Sequence, residues 1–190
     1  MKKRNKIIID DLEVEYEIVR RKIKYPRLEI KTDSLFVIIP EKYDNAHQLV
    51  KKHESWIYKK LTRINKSKLE SKKLQLNLKQ TDDLFKDMVF LMVDEISRKL
   101  DVEVNQVKFQ KMKSRWGSCS SRGNVNFNYY LKYLPENLIE YIVYHELTHL
   151  LEMGHNKKFW SIISGEYPNY KSIEDELLVY WLKVKEYEGI

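Results

Sequence analysis

The sequence lacks the features that would assign it to a secreted or membrane-bound class. Its 190 residues contain a single cysteine, Cys119, so no disulfide can form within the chain, which agrees with a reducing compartment. No apolar run approaches the roughly 18 residues that span a membrane. The basic start of the chain has no apolar run of signal-peptide length, and repeats and low-complexity segments are missing. We therefore expect a cytoplasmic protein without a membrane partner.

What the sequence does contain fits a globular protein of modest size. Hydrophobic residues make up 43% and charged residues 33% of the chain, and its length suits one domain or one domain with a small appendage. Segments of strand periodicity are mixed with segments of helical periodicity. The pattern therefore predicts the α+β class.

Basic residues are concentrated in the first part of the chain, which carries a net charge of +7 overall. Residues 1–80 hold 21 lysines and arginines against 11 aspartates and glutamates, whereas residues 81–190 hold 14 against 17. The basic part could bind nucleic acid or another polyanion. A lysine-rich solvated surface also explains this charge, and we favour it because no aromatic-and-basic nucleic-acid motif accompanies the lysines.

The first 80 residues predict a small sheet followed by a basic helix. Apolar and acidic residues alternate in strand fashion within residues 5–40, which are expected to form a β-meander or a pair of hairpins. Apolar residues at helical spacing predict a helix over 45–65. Residues 65–80 are rich in lysine, serine, asparagine and glutamine, so they are the best candidate linker, with a short strand at 74–78.

The remaining residues predict a second region of helices and one more sheet. Thr81 can cap a helix, Pro135 fits the first position of another, and Asn156 can cap a third. The predicted elements are helices over 82–100, 135–153 and 172–187, a short helix after Asn156, and a strand hairpin over 104–131. We expect a β-meander plus basic helix at 1–80 and a second domain at 81–190, the two forming either separate domains or one continuous domain.

One stretch of the second region has the pattern of a metal site. His145 and His149 would lie one helical turn apart, about 6 Å along the axis and roughly 40° around it, so both imidazoles can bind one ion. Glu146 lies about 100° around the helix from His145, beside such an ion. There its carboxylate could take a proton from a metal-bound water.

His155 is the expected third ligand. A continuous helix would place it about 15 Å from His145, too far to share an ion. The chain must therefore turn back after about residue 153, and Gly154 is where a helix-ending glycine with positive φ is expected.

A surface helix with unrelated histidines is the simpler alternative for this stretch. The helix, however, carries an apolar stripe that includes Leu138, Ile142 and Leu147, which predicts that it is mostly buried. A buried helix with two histidines and a glutamate must compensate three polar groups, and a metal ion does so.

Several motifs together resemble those of a known family. They are Ser114-Arg115-Trp116-Gly117-Ser118-Cys119, Asn126-Phe127-Asn128, the stretch from Tyr141 to His149, and His155 followed by Phe159-Trp160. These resemble the YgjP-like family of predicted zinc metallopeptidases, which is similar to the SprT-like and WLM domains. The N-terminal strands and the Trp56-Ile57 helix also look like the first part of that family.

The resemblance implies a zincin-like metallopeptidase fold for residues 81–190. In it an active-site helix packs on a small antiparallel sheet, preceded by the N-terminal strands and helix. His145, His149 and His155 would hold one Zn²⁺ per chain, and Glu146 would be the catalytic base acting on protein or peptide substrates.

Other residues are candidates for supporting roles in such a reaction. Arg115, Tyr167 and Tyr170 could stabilise an oxyanion, and Glu152 could orient a ligand. The strand at 124–131 is expected to be the edge strand that pairs with the substrate.

Two alternative functions remain open at this point. Cys119 could be a nucleophile with a histidine as its base. The protein could also be a non-catalytic, metal-containing or nucleic-acid-associated module, although a structural metal site would not need Glu146.

Overall fold

The computed structural model describes residues 4–31 and 34–190 and divides into two compact units, Met1–Leu69 and Glu70–Ile190. The division falls within a helix, earlier in the chain than the domain boundary expected near residue 80. None of the helices in the described part of the chain has the length and hydropathy needed to cross a membrane.

The first unit is a four-stranded sheet with two helices. Its elements are β1 (Arg4–Ile9), β2 (Leu12–Arg20), β3 (Arg27–Lys31), β4 (Ser34–Ile39), α1 (Ala46–Lys52) and α2 (Glu54–Ser71). The strand order is β1-β2-β4-β3, and β2 pairs with β4 in parallel. The sheet is therefore a pair of hairpins joined side by side, and the alternative of a meander is wrong.

The helix predicted over 45–65 is interrupted at His53. The Nδ1 atom of His53 lies 2.8 Å from the carbonyl oxygen of Leu49, and the main-chain N–H of His53 bonds to Val50 instead. A side chain that takes a main-chain acceptor competes with the regular helical bond. Residues 74–78, expected as a short strand, have no regular structure.

The second unit contains the remaining elements. They are α3 (Asp82–Leu100), β5 (Gln106–Gln110), β6 (Gly117–Cys119), β7 (Asn124–Asn128), a 3₁₀ helix (Tyr129–Tyr133), α4 (Glu136–Thr148), α5 (Lys157–Glu166) and α6 (Tyr170–Glu188). The Thr81 hydroxyl accepts a hydrogen bond from the Leu84 N–H at the start of α3, as predicted. The α+β class is confirmed.

The sheet of the second unit differs from the expected antiparallel hairpin. Its order is β5-β7-β6, with β5 parallel to β7 and β6 antiparallel to it. The small-residue loop is not a simple turn, because residues 117–119 form a strand of their own beside β7. The strand expected at 124–131 is β7, which ends at Asn128. It is the central strand of the sheet rather than an edge strand, and the edge strand next to α4 is β6.

Helix α4 lies in the core of the second unit, as its apolar stripe predicts. Nine of its residues are buried, and Leu138, Val143 and Leu147 are completely inaccessible. A surface helix is therefore excluded. The side chains around α4 come from α3, from β7 and from α5, including Phe85, Phe127 and Phe159.

Asn128 fixes the loop that leads into β6. Its side chain is fully buried, donates to the carbonyls of Met112 and Arg115 at 2.8 Å, and accepts from the N–H groups of Met112 and Tyr130 at 3.2 Å. Its main-chain N–H also donates to the carbonyl of Trp116 at 2.8 Å. One amide therefore anchors both ends of the segment before β6.

Replacing Asn128 with alanine should destabilise the protein markedly. Each main-chain group left buried without a partner costs about 1–3 kcal/mol. Asn126→Ala is the matched control, because the Asn126 amide is only partly buried and makes one long bond of 3.4 Å to the Ser118 hydroxyl. Urea unfolding measures both variants, and equal losses would contradict the anchoring role of Asn128.

Candidate metal centre

The metal-site stretch begins on α4 and leaves it earlier than the sequence suggests. The helix ends at Thr148 rather than near residue 153, and His149 is its C-cap. The N–H groups of Leu150 and Leu151 bond three residues back, to Leu147 and Thr148, at 2.9 and 3.0 Å. These tighter bonds turn the chain, so the helix needs no terminating glycine. Gly154 accordingly has no positive φ, contrary to the expectation.

The early turn brings three imidazoles together. One ring nitrogen from each of His145, His149 and His155 lies within 4.8 Å of the other two, and the Nε2 atoms of His145 and His155 are 3.0 Å apart. His155 lies two residues before α5, and the side chain of Asn156 between them accepts hydrogen bonds from the N–H groups of Lys158 and Phe159, as predicted. The structure thus places all three expected ligands at one point.

Two aromatic residues of α5 hold the imidazoles in place. The Phe159 ring centroid is 4.9 Å from that of His145 and 4.7 Å from those of His149 and His155. Trp160 stacks on His155 at 5.7 Å, and its indole N–H donates to the main-chain carbonyl of His155. The packing of α5 on α4 therefore also fixes the geometry of the three rings.

Glu152 orients His149, although not through its carboxylate. The His149 Nδ1 atom lies 3.2 Å from the main-chain carbonyl of Glu152, and because a carbonyl only accepts, Nδ1 carries the hydrogen. This tautomer leaves Nε2 free for a cation. The Glu152 side chain instead lies near the N–H of Gly154 and the ammonium group of Lys158.

The protonation states suit a metal. Burial lowers the pKa of His145 to about 3, helped by the neighbouring imidazoles, and burial also lowers the pKa of His149. Metal binding requires neutral imidazoles, so no proton has to be removed from these rings near neutral pH. Three imidazole nitrogens are a donor set that suits zinc.

Glu146 carries a buried carboxyl group and directly follows His145 on α4. Its side chain is 7% exposed and lies against β6. Burial raises the pKa of Glu146 to about 8, although the positive charge of Arg115 acts in the opposite direction. Among the described residues the carboxylate makes no hydrogen bond. Its oxygens therefore remain available to a water or a cation.

The remaining predicted residues lie at different distances from this centre. Arg115 is exposed on the loop before β6, near enough for its charge to act on Glu146. The Tyr167 hydroxyl donates to Glu140 at 3.3 Å, whereas Tyr170 stacks on Trp160. Arg115 is therefore the candidate whose charge reaches the site.

Sequence reasoning missed the contributions of Gly117 and Phe159. Both occur in motifs that carry the family resemblance, but neither has the donor atoms that identify a site residue. Gly117 contacts Glu146 across the fold, and Phe159 packs on all three imidazoles.

Cys119 lies at the end of β6 and is half-buried. Burial, together with the charge of Glu146, raises the pKa of its thiol to about 11. The nucleophile of a thiol is its thiolate, which is scarce at neutral pH for such a group. The structure therefore disfavours Cys119 as a nucleophile.

Comparison with known sequences identifies a family for part of the chain. The model of the family described as YgjP-like, metallopeptidase domain, matches residues 75–179, which include the three histidines and Glu146. No curated protein matches the chain.

Two solved structures are similar to part of the chain. The crystal structure of the metallopeptidase zymogen abylysin from Pyrococcus abyssi is 24% identical, with 47% of this chain and 91% of that chain covered and a TM-score of 0.44. That of the metallopeptidase zymogen jannalysin from Methanocaldococcus jannaschii is 25% identical, with 55% and 92% covered and a TM-score of 0.42.

Cys119 should react slowly with iodoacetamide in the folded protein. With a pKa of about 11, alkylation at about pH 8 is expected to be on the order of 10²-fold slower than for free cysteine. The alkylation rate should rise with pH until the thiol is fully ionised. In urea, where the protein is unfolded, it should equal the rate of free cysteine. Mass spectrometry of the labelled protein measures both rates, and rapid labelling of folded protein at neutral pH would restore Cys119 as a candidate nucleophile.

Proposed function

The chain belongs to the YgjP-like metallopeptidase family, as its motifs predict, and on this basis we propose that it is a zinc-dependent peptidase that hydrolyses peptide bonds with a metal-activated water. The observation that carries the proposal is the convergence of three imidazoles, the first of which is followed directly by a buried glutamate. The nitrogens of His145, His149 and His155 lie within 4.8 Å of one another, and Glu146 is the next residue after His145 on the same buried helix.

The donor set favours a catalytic rather than a structural metal. A zinc ion held by three imidazoles keeps one position for water, acidifies that water and polarises a carbonyl group. A structural site would instead be closed by a fourth protein ligand, and the metal-binding group found among the described residues contains the three histidines alone. We therefore assign one Zn²⁺ per chain to these residues.

Each protein group has a separate role in the proposed reaction. Glu146 accepts the proton of the attacking water and passes it to the amine nitrogen that leaves. The main-chain carbonyl of Glu152 keeps His149 in the tautomer with Nε2 free, and Arg115 supplies positive charge near developing negative charge on the substrate.

A protein or peptide substrate is proposed to bind as an added strand on β6. Strand β6 pairs with β7 on one side and is the edge of its sheet, and it begins at Gly117, which contacts Glu146. Main-chain pairing along this edge would bring a substrate carbonyl next to Glu146 and give affinity with little sequence selectivity. This proposal replaces the earlier expectation for the strand at 124–131.

The alternative is a metal-containing module without catalytic activity. A buried carboxylate costs stability and has no role in such a module. Nothing in the described site favours nucleic acid over a peptide.

Glu146→Gln should abolish proteolysis while zinc binding is retained. The amide keeps the shape of the side chain but cannot take a proton, so the rate should fall by about 10²–10⁴-fold. Cleavage of casein or a quenched peptide library measures activity, and atomic absorption of the purified protein measures zinc. Activity like that of the wild type would refute the assigned role of Glu146. Zinc binding without cleavage by the wild type would favour the non-catalytic module.

His149→Ala should reduce the zinc affinity strongly, because one ligand nitrogen is lost and two imidazoles bind the ion much more weakly than three. His47→Ala is the matched control, since His47 is exposed in the first unit and its ring contacts the Tyr16 hydroxyl. Competition with a chromophoric chelator measures both affinities. Equal zinc affinity of His149→Ala and His47→Ala would show that the three histidines are not the ligands.

A further inference from the structure

Gly117 lies closer to Glu146 than any other amino acid at that position would allow. A Cβ atom added to Gly117 would lie 2.6 Å from Cγ, 2.7 Å from Oε1 and 2.8 Å from Cδ of Glu146. Carbon atoms that are not bonded prefer separations of about 3.5–4.0 Å. The three nearest atoms all belong to the Glu146 side chain, so the space that a side chain at position 117 would need is taken by the carboxyl group.

We propose that Gly117 is a positioning residue, whose missing side chain lets the Glu146 carboxylate lie against the main chain of β6, on the turn of α4 that carries His145. The inference rests on the proposed function, in which Glu146 is the base. The Arg-Trp-Gly-Ser-Cys segment would thus contribute to the site through the absence of a side chain at Gly117.

Glu146 cannot avoid an added side chain by a small adjustment. The shortest distance involves Cγ, which is close to the helix backbone rather than at the flexible end of the side chain. Helix α4 cannot retreat easily, because Val143 and Leu147 on either side of Glu146 are completely buried. Relief therefore requires rotation about the first side-chain bond of Glu146, which moves the carboxylate away from its place.

Strand β6 is equally constrained from the other side. Gly117 pairs with Phe127 of the central strand β7, and Phe127 is completely buried. The carbonyls of Arg115 and Trp116, immediately before Gly117, both accept hydrogen bonds of 2.8 Å from Asn128. The strain of a larger residue at position 117 therefore falls on Glu146.

The chain offers a matched control for this position. Gly165 lies in α5 within the same unit, and a Cβ added there would meet no atom within 4 Å. Gly165→Ala therefore makes the same chemical change as Gly117→Ala without the contact to Glu146. It is expected to leave peptidase activity and zinc affinity as in the wild type.

The contact itself is tested by a double-mutant cycle on the metal-free protein. Gly117→Ala should lower the urea midpoint of the wild type. In the Glu146→Ala background, where Cγ, Cδ and Oε1 are absent, the same substitution should have little effect on the midpoint. If Gly117→Ala alone does not fold, the double variant should fold again. An equal loss of midpoint in both backgrounds would overturn the inference.

The positioning role is tested by kinetics on the zinc-loaded enzyme. Gly117→Ala should lower kcat on the order of 10²-fold, as displaced catalytic groups do, while KM changes little. Zinc affinity, measured by chelator competition, should stay as in the wild type, because no ligand is altered. An unchanged kcat in Gly117→Ala would overturn the inference.

The two proposals can fail separately. Stability coupling between positions 117 and 146 in a protein that cleaves no peptide would support Gly117 as the residue that places Glu146 and would refute only the proposed reaction. Peptidase activity without coupling would support the reaction and refute the role of Gly117.

Discussion

The end of helix α4 at Thr148 is the constraint on which the rest of the site depends. Had the helix continued, His155 would lie about 15 Å from His145. Because the chain turns at once, α5 can begin at Lys157 and place Phe159 against all three imidazoles. The packing of α5 on α4 therefore also completes the histidine site. The stability of this part of the core is linked to the geometry of the three imidazoles.

The features predicted correctly from the sequence are those that depend on local interactions. The one-turn spacing of His145 and His149, the apolar stripe of α4 and the caps at Thr81 and Asn156 each involve residues a few positions apart. Strand pairing is not local: alternation shows which face of a strand is buried but not which neighbour it pairs with or in which direction. The parallel pairing of β5 with β7 was therefore mistaken for a hairpin. Gly117 was missed for the same reason, since its role appears only when β6 lies against α4.

The burial of Glu146 has a cost that its position in the site explains. A glutamate on this helix would be more stable in water or paired with a cation, and its raised pKa expresses that penalty. The same burial lowers the pKa of His145 and keeps it neutral. One environment thus shifts the pKa values of two adjacent residues in opposite directions, and such opposed shifts are typical of functional sites.

Strand β6 has two roles in the proposed enzyme, although it is only three residues long. Its main chain lies against Glu146, and its free edge is the proposed place for the substrate strand. The base and the scissile bond would both be positioned relative to this strand. A small displacement of β6 would therefore move the substrate as well, and the distance between Glu146 and the scissile bond would change less than if each were held by a different element. The buried amide of Asn128, which holds the segment before β6, would therefore stabilise the position of both partners in the proposed reaction. A site that must hold two reacting groups within a fraction of an ångström benefits from such a shared support.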